Sequence, residues 1–306
     1  MKAIQDSFAL SAQQADEYRT KGYTVLRQVF TPPWIAHLRA VQLKPPLDPY
    51  QRGFDKLVYD TCVGDEGVYA LLQDPRFRSL MYTLSGQDLF FTQAAGFSLK
   101  RKVSTGLAWH IESQSFGYQR AEDHGATLWT PLHPIVARGQ AGGMRYVPRN
   151  VLCGKVVYAQ LTPAMFQYIE SRLKKGDLPF EEYVALRDGV LNSGPLRELL
   201  EHHAEEHDFE PGDALLMDKY VLHRSVALAD GPLTHRDAFA LRFVGASSRY
   251  DAARARDVEI PRRYYGYPGP TSFHLDVCKN DGELIVHSPL FASDRTTRRL
   301  SPTGSP

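Results

Sequence analysis

From Leu89 to about Gly245 the chain keeps returning to short apolar stretches cut by glycine and proline. This rhythm constrains the fold more than any other feature. Leu89–Gln93 and Ala95–Leu99 read as strands, followed by Trp109–Glu112, Ala126–Leu132, Met144–Val147, Ala214–Met217 and Ala238–Val244. Thr105-Gly106, Gln140–Gly143, Pro148 and Glu210–Asp213 supply the turns between them. Many short strands separated in this way predict an all-β sandwich or barrel. Between about Thr162 and His207 the pattern changes. Ala164–Lys174, Phe180–Asp188 and Pro195–His207 are helix-like and rich in Glu, Leu, Arg and Lys. The block reads as a helical insertion between two core strands, and such an insertion either covers a site or serves packing alone.

The flanks are helical. Ser11 caps a helix that Gly22 ends, and Tyr23–Arg27 is a short strand. Thr31-Pro-Pro opens a helix through Trp34–Arg39, because proline is favoured in a first turn. Lys44–Pro49 breaks it. Asp65–Leu72 and Pro75–Leu84 are helical, the second closed by Ser85-Gly86. The reading is one domain over residues 1–306: a helical flank at 1–88, a β core at 89–160 and 209–250, the insertion at 161–208 and an extension at 251–306. The tail Ser301–Pro306 is expected to be disordered.

A hydrophobic fraction of 43% and a charged fraction of 23% are those of an ordinary soluble globule. A net charge of +1 gives no electrostatic case for nucleic acid or an acidic membrane surface. No apolar run approaches the roughly 18 residues that cross a bilayer, and the N-terminus does not read as a signal peptide. Cys62, Cys153 and Cys278 are far apart and form no zinc pattern. They fit a reduced, cytoplasmic setting. The expected partner is a small molecule. Oligomeric state is not legible.

The candidate chemistry starts at Trp109-His110-Ile111-Glu112. On a strand, residues two apart share a face, so His110 and Glu112 would stand side by side. One more imidazole completes a two-His, one-carboxylate set with open positions, the usual site of non-haem Fe(II) oxygenases. His223 is the candidate, and Arg236 follows thirteen residues later. Arginine can grip a carboxylate with two parallel hydrogen bonds, as a dicarboxylate cosubstrate requires. His124 and His133 flank Trp129 and are not taken as ligands. His203 and His207 stand four apart without an H-E-x-x-H pattern and read, with His202, as a solvated helix face. Lys100–Lys102 reads as a solvated turn, and Arg262–Tyr267 as surface packing with the capacity to stack on a planar substrate.

Taken in order, these segments resemble the phytanoyl-CoA dioxygenase family of Fe(II)/2-oxoglutarate-dependent oxygenases over most of residues 11–245. Leu10–Gln14 and Gly22–Leu26 are similar to the family's opening helix and strand. Trp109–Glu112 is similar to its W-H-x-[DE] element, Gly142–Pro148 to its Gly-x-[LM]-x-x-[VI]-Pro strand and turn, and Glu210–Asp213 to the turn before its distal histidine. His223–Ser225 resembles its H-x-S, and Arg236 its 2-oxoglutarate arginine. The resemblance implies a mainly β fold, a double-stranded β-helix (jelly roll, cupin-like), with flanking helices. It implies His110, Glu112 and His223 as Fe(II) ligands, Arg236 on the distal carboxylate of 2-oxoglutarate, and Ser225 donating beside it. Trp129 would line the cosubstrate pocket, and Gln93 and Lys100 would touch cosubstrate or substrate. The implied activity is O2-dependent oxidation, foremost hydroxylation, of a C–H bond in a small organic molecule, with release of succinate and CO2.

The chain departs from the family in three places. The carboxylate is Glu where the family mostly has Asp. Arg149-Asn-Val replaces Gly-Ser-His after Pro148. The insertion and the stretch after Tyr250 have no counterpart that can be carried over. Related halogenases have Gly or Ala at the carboxylate position, so Glu112 predicts oxidation without halogenation. Two other readings stay open: a cupin-like metal dioxygenase or isomerase that needs no 2-oxoglutarate, and a jelly-roll binding module without catalysis.

Overall fold

The structure is a computed structural model and describes residues 1–41, 53–59, 64–266 and 273–302. The Lys44–Pro49 break, Cys62, Tyr267 and the last four residues lie outside that set. The flank runs α1 (Ala12–Lys21), β1 (Tyr23–Leu26), α2 (Pro32–Ala40), β2 (Lys56–Tyr59), α3 (Glu66–Gln73) and α4 (Pro75–Ser85). Its ends are those the sequence announces. Ser11 and Gln14 form a reciprocal capping box, Thr31 caps α2, and Gly22 and Gly86 end α1 and α4 in the left-handed conformation. β2 is a strand the sequence pattern did not signal.

The core strands are β3 (Leu89–Lys100), β4 (Gly125–Pro131), β5 (Met144–Val147), β6 (Glu205–Glu206), β7 (Ala214–Asp218), β8 (Leu222–Ser225) and β9 (His235–Gly245). The two strands expected at 89–93 and 95–99 are one strand of 12 residues, with a register shift between Phe91 and Gln93. An extra residue there kinks the strand without ending it. The larger sheet runs β1-β7-β4-β9-β3, with β2 also paired to β3, and the smaller runs β6-β5-β8. All these strand pairings are antiparallel. The fold is the jelly roll, with helices on its outer face.

Strand alternation explains the layers. On β9, Phe239, Leu241 and Phe243 pack with Trp34, Leu71, Phe77 and Met81 of the flank helices. Ala238 and Ala240 point the other way and pack with Trp129, Met144 and Tyr146 between the sheets. Each large apolar side chain so enclosed stabilises by about 1.5–3 kcal/mol. Arg236 and Arg242 share the parity of Ala238 and Ala240, so both are directed to the inner side.

The insertion holds a π-helical turn (Val157–Leu161), α5 (Thr162–Leu173), α6 (Phe180–Asn192) and α7 (Gly194–His203). The expected helix to His207 stops at His203, where Glu205 and Glu206 join the smaller sheet. His203 and His207 are therefore not one helical turn apart, and His207 Nδ1 instead meets Tyr146 Oη at 2.5 Å. The extension adds α8 (Ala252–Val258), α9 (Ile260–Tyr265), α10 (Arg295–Arg298) and β10 (Arg299–Leu300), which pairs with β3 at the edge of the larger sheet. Tyr265 of α9 donates to Leu178 O at 2.8 Å and packs on Phe180, so this aromatic tract braces the insertion. Among the described residues no helix is long and apolar enough to cross a membrane.

Candidate metal centre and adjoining cavities

The H-x-E segment is not a regular strand. Only His110 is bridged, to His223 of β8, and a turn begins at Glu112, where Phe116 N donates to Glu112 O at 3.0 Å. His110 and His223 exchange two backbone hydrogen bonds of 2.9 Å, which sets their ring centroids 4.1 Å apart. His110 Nδ1 donates to Ala108 O at 2.7 Å, and His223 Nδ1 donates to Val221 O at 2.8 Å. A carbonyl can only accept, so each Nδ1 carries the proton and each Nε2 keeps its lone pair, the tautomer a metal requires. Burial lowers the pKa of both rings, and with His110 beside it the His223 imidazole falls to about 3.

Glu112 is buried. Its Oε1 accepts from Thr127 Oγ1 at 3.0 Å and its Oε2 from Arg242 Nε at 3.4 Å. Burial favours the neutral acid, but Arg242 and then His223 outweigh it and hold the carboxyl down to about 2. The donor set is thus two neutral imidazoles and one carboxylate, which suits a divalent first-row metal.

Among the described residues, three potential ligand atoms within 4.8 Å of one another occur at a different place, His133, His235 and Asp237. Glu112, turned to Thr127 and Arg242, does not approach both candidate imidazoles that closely. The second cluster is a poorer metal site on chemical grounds. Asp237 N donates to His133 Nδ1 at 3.1 Å, so that nitrogen is the acceptor and Nε2 carries the proton.

A cavity of about 50 Å³ joins His110, Glu112 and His223 to Trp129, Ser225 and Arg236. Arg236 is buried, donates from Nε to Gly142 O at 2.5 Å, and lies 5.5 Å over the Trp129 ring. It forms no ion pair among the described residues. Burial lowers its pKa to about 10, so it stays cationic at neutral pH. Ser225 Oγ accepts from Leu107 N at 3.1 Å, which leaves its hydroxyl proton to donate. Gly106 makes this approach possible: a Cβ there would sit 2.1 Å from Ser225 Cβ, and its φ is +70°. Two expected residues are not brought to either cavity. Gln93 is buried but donates to Ser115 O at 2.6 Å, supporting the turn after Glu112. Lys100 is exposed at the end of β3.

A second cavity, about 160 Å³, also borders His110 and Glu112. Its walls are the Ile111–Ser115 turn and Val157, Leu161, Met165 and Phe166 of the insertion, with Arg187 and Asp188 of α6. The insertion also grips the segment beside His110. Trp109 N donates to Asn192 Oδ1, and Asn192 Nδ2 donates to Trp109 O, both at 2.8 Å. Glu201 of α7 accepts from Trp109 Nε1 at 3.0 Å and from Arg145 and Arg224 at 2.9 Å each. Sequence reasoning missed Thr127, Arg242, Asn192 and Glu201. Arg242 carried a usable signal, since it stands six residues, an even count on a strand, from Arg236.

No protein-family model matches the chain, and no curated protein does. Solved structures do match in fold. The epimerase SnoN, in complex with Fe3+, alpha ketoglutarate and nogalamycin RO, aligns with TM-score 0.57 and 15% identity over 89% of this chain and 94% of that one. The non-heme alpha ketoglutarate dependent carbocyclase SnoK from nogalamycin biosynthesis aligns with TM-score 0.55 and 14% identity, over 79% and 86%. EctD from S. alaskensis with bound Fe aligns with TM-score 0.50 and 16% identity, over 81% of each. The described core is the jelly roll that these structures share.

Proposed function

We propose that the chain is a non-haem Fe(II)/2-oxoglutarate-dependent oxygenase acting on a small organic substrate. The observation that carries this reading is one cavity with two imidazoles freed at Nε2 beside a carboxylate at one end, and a buried, unpaired Arg236 at the other. His110, Glu112 and His223 would hold the metal. Arg236 would bind the distal carboxylate of 2-oxoglutarate, with Ser225 donating beside it and Trp129 walling the cavity. When bound, iron with the keto acid and O2 would supply the oxidising power, with succinate and CO2 as co-products. The protein orients the C–H bond and excludes water. The larger cavity is the proposed substrate site, and the insertion its cover. The resemblance to the phytanoyl-CoA dioxygenase family and the shared fold support the class. The fold neighbours include an epimerase and a carbocyclase; for this chain hydroxylation is the outcome we propose, and Glu112, a full carboxylate at the position that halogenases leave open, argues against halogenation.

The test is anaerobic titration with Fe(II) and then 2-oxoglutarate, followed in visible absorbance. A saturable charge-transfer band is expected, with none in His223→Ala and a much weaker keto-acid affinity in Arg236→Ala. Iron binding without a band would shift the reading to a cupin-like enzyme that needs no keto acid, and no iron binding would leave a non-catalytic module.

A further inference from the structure

β9 carries two buried arginines on its inner face, and the proposed function uses one of them. Arg242 is 5% exposed. Among the described residues its guanidinium makes one hydrogen bond, Nε to Glu112 Oε2 at 3.4 Å, and its Nη1 is enclosed without a partner. A guanidinium offers five N–H donors, and buried donors are nearly always used. Arg242 stands in the walls of both cavities, where the smaller one, holding the candidate ligands, meets the larger. The other ion pair of the larger cavity, Arg187 with Asp188, is closed on itself by bonds of 2.7 and 2.8 Å. Glu112 is already shared with Thr127 and, as a metal ligand, would give its charge largely to the metal. What remains is a buried guanidinium with an unpartnered Nη1, beside an apolar wall of Val157, Leu161, Met165 and Phe166.

We propose that Arg242 receives a carboxylate of the substrate, so that the substrate is a small organic acid whose apolar body lies against the π-helical turn and α5. This rests on the reading of the metal centre given above. The keto acid is the other source of a carboxylate. Both arginines line the smaller cavity, but Arg242 alone of the two also lines the larger one, which sets it toward the substrate side.

The test uses full-length protein loaded anaerobically with Fe(II) and saturating 2-oxoglutarate, with Trp fluorescence as the readout because Trp109 lines the larger cavity. Hexanoate, octanoate and hydrocinnamate are titrated alongside their primary amides. Saturable quenching by at least one acid is expected, with its amide and the Arg242→Gln protein each weaker by about tenfold or more. Arg242→Lys keeps a charge beside Glu112 as a second variant and should bind the acid more weakly than wild type, because it lacks the two-pronged fork. Acids and amides that bind alike, or no response to any acid, would overturn the proposal. So would a 2-oxoglutarate affinity that falls in Arg242→Gln as it does in Arg236→Gln while acid binding is unchanged; this would assign Arg242 to the keto acid. Failure of the metal-centre reading is seen separately, as a wild-type protein without the keto-acid band.

Discussion

Glu112 and Arg242 illustrate how one residue pair can hold a site in readiness. Both are buried, and Thr127 Oγ1 donates to the other carboxylate oxygen. Removing one partner of a buried ion pair leaves an uncompensated charge in a poorly polarisable surrounding, which typically costs about 3–5 kcal/mol. Glu112→Gln is therefore expected to destabilise the protein by about 3 kcal/mol in urea unfolding with a chelator present. Glu112→Gln combined with Arg242→Met should recover a substantial part of that loss. Equal stability of wild type and Glu112→Gln would mean that the pair contributes nothing beyond solvent. The roles proposed for His110, Glu112, His223 and Arg236 rest on residue type, order and spacing. The partner of Glu112 was not, because no pattern within the H-x-E segment specifies a residue 130 positions away.

At the scale of elements, the insertion braces the segment beside His110. Asn192 closes α6 onto the backbone of Trp109 with two 2.8 Å bonds, as a neighbouring strand would. Glu201 ties the Trp109 indole to Arg224, the residue after His223. Both candidate imidazole segments are thus braced from the same helical block. Supporting hydrogen bonds of this kind typically change metal affinity 10–100-fold. Asn192→Ala should weaken Co(II) or Fe(II) binding by about tenfold while the far-ultraviolet circular dichroism stays unchanged. Unaltered metal affinity would reduce Asn192 to a packing role. The helical character of residues 161–208 was legible from composition. Its grip on Trp109 was not, since Asn192 is as common at a helix end as in a clamp.

At the scale of the whole molecule, the extension and the insertion are joined through α8, where Arg254 donates to Tyr158 O at 2.8 Å and Asp257 is half-buried. Burial pushes its carboxyl up to about 6, with Arg254 pulling the other way. Between its ordinary value and 6 the folded protein holds the proton more tightly than the unfolded chain, so this contribution to stability is full at low pH and is lost as pH rises through 6. Asp257→Asn should leave stability unchanged near pH 4 and raise it near pH 7.5. A gain of about 1 kcal/mol is expected, because solvent screens part of the effect at a half-buried position. Thermal melts at the two pH values decide the point, and equal differences at both would remove Asp257 from the account. The extension itself is not legible in the sequence. Its short helices carry no sustained periodicity, and β10 is two residues long.

The fold class, the flank helices with their caps, most core strands and the four residues of the proposed chemistry were determined by the sequence. Each rests on a local signal: alternation, a capping side chain, a turn residue, or the spacing of a metal-ligand motif. Tertiary structure alone decided that the H-x-E segment is a bridge and a turn, with only His110 bridged to β8. It also stopped the last insertion helix at His203 and made one bulged strand of two expected ones. Most of all, it brought Arg242, Asn192 and Thr127 to the same centre, because long-range packing and the pairing of buried charges act through space, where sequence separation carries no information.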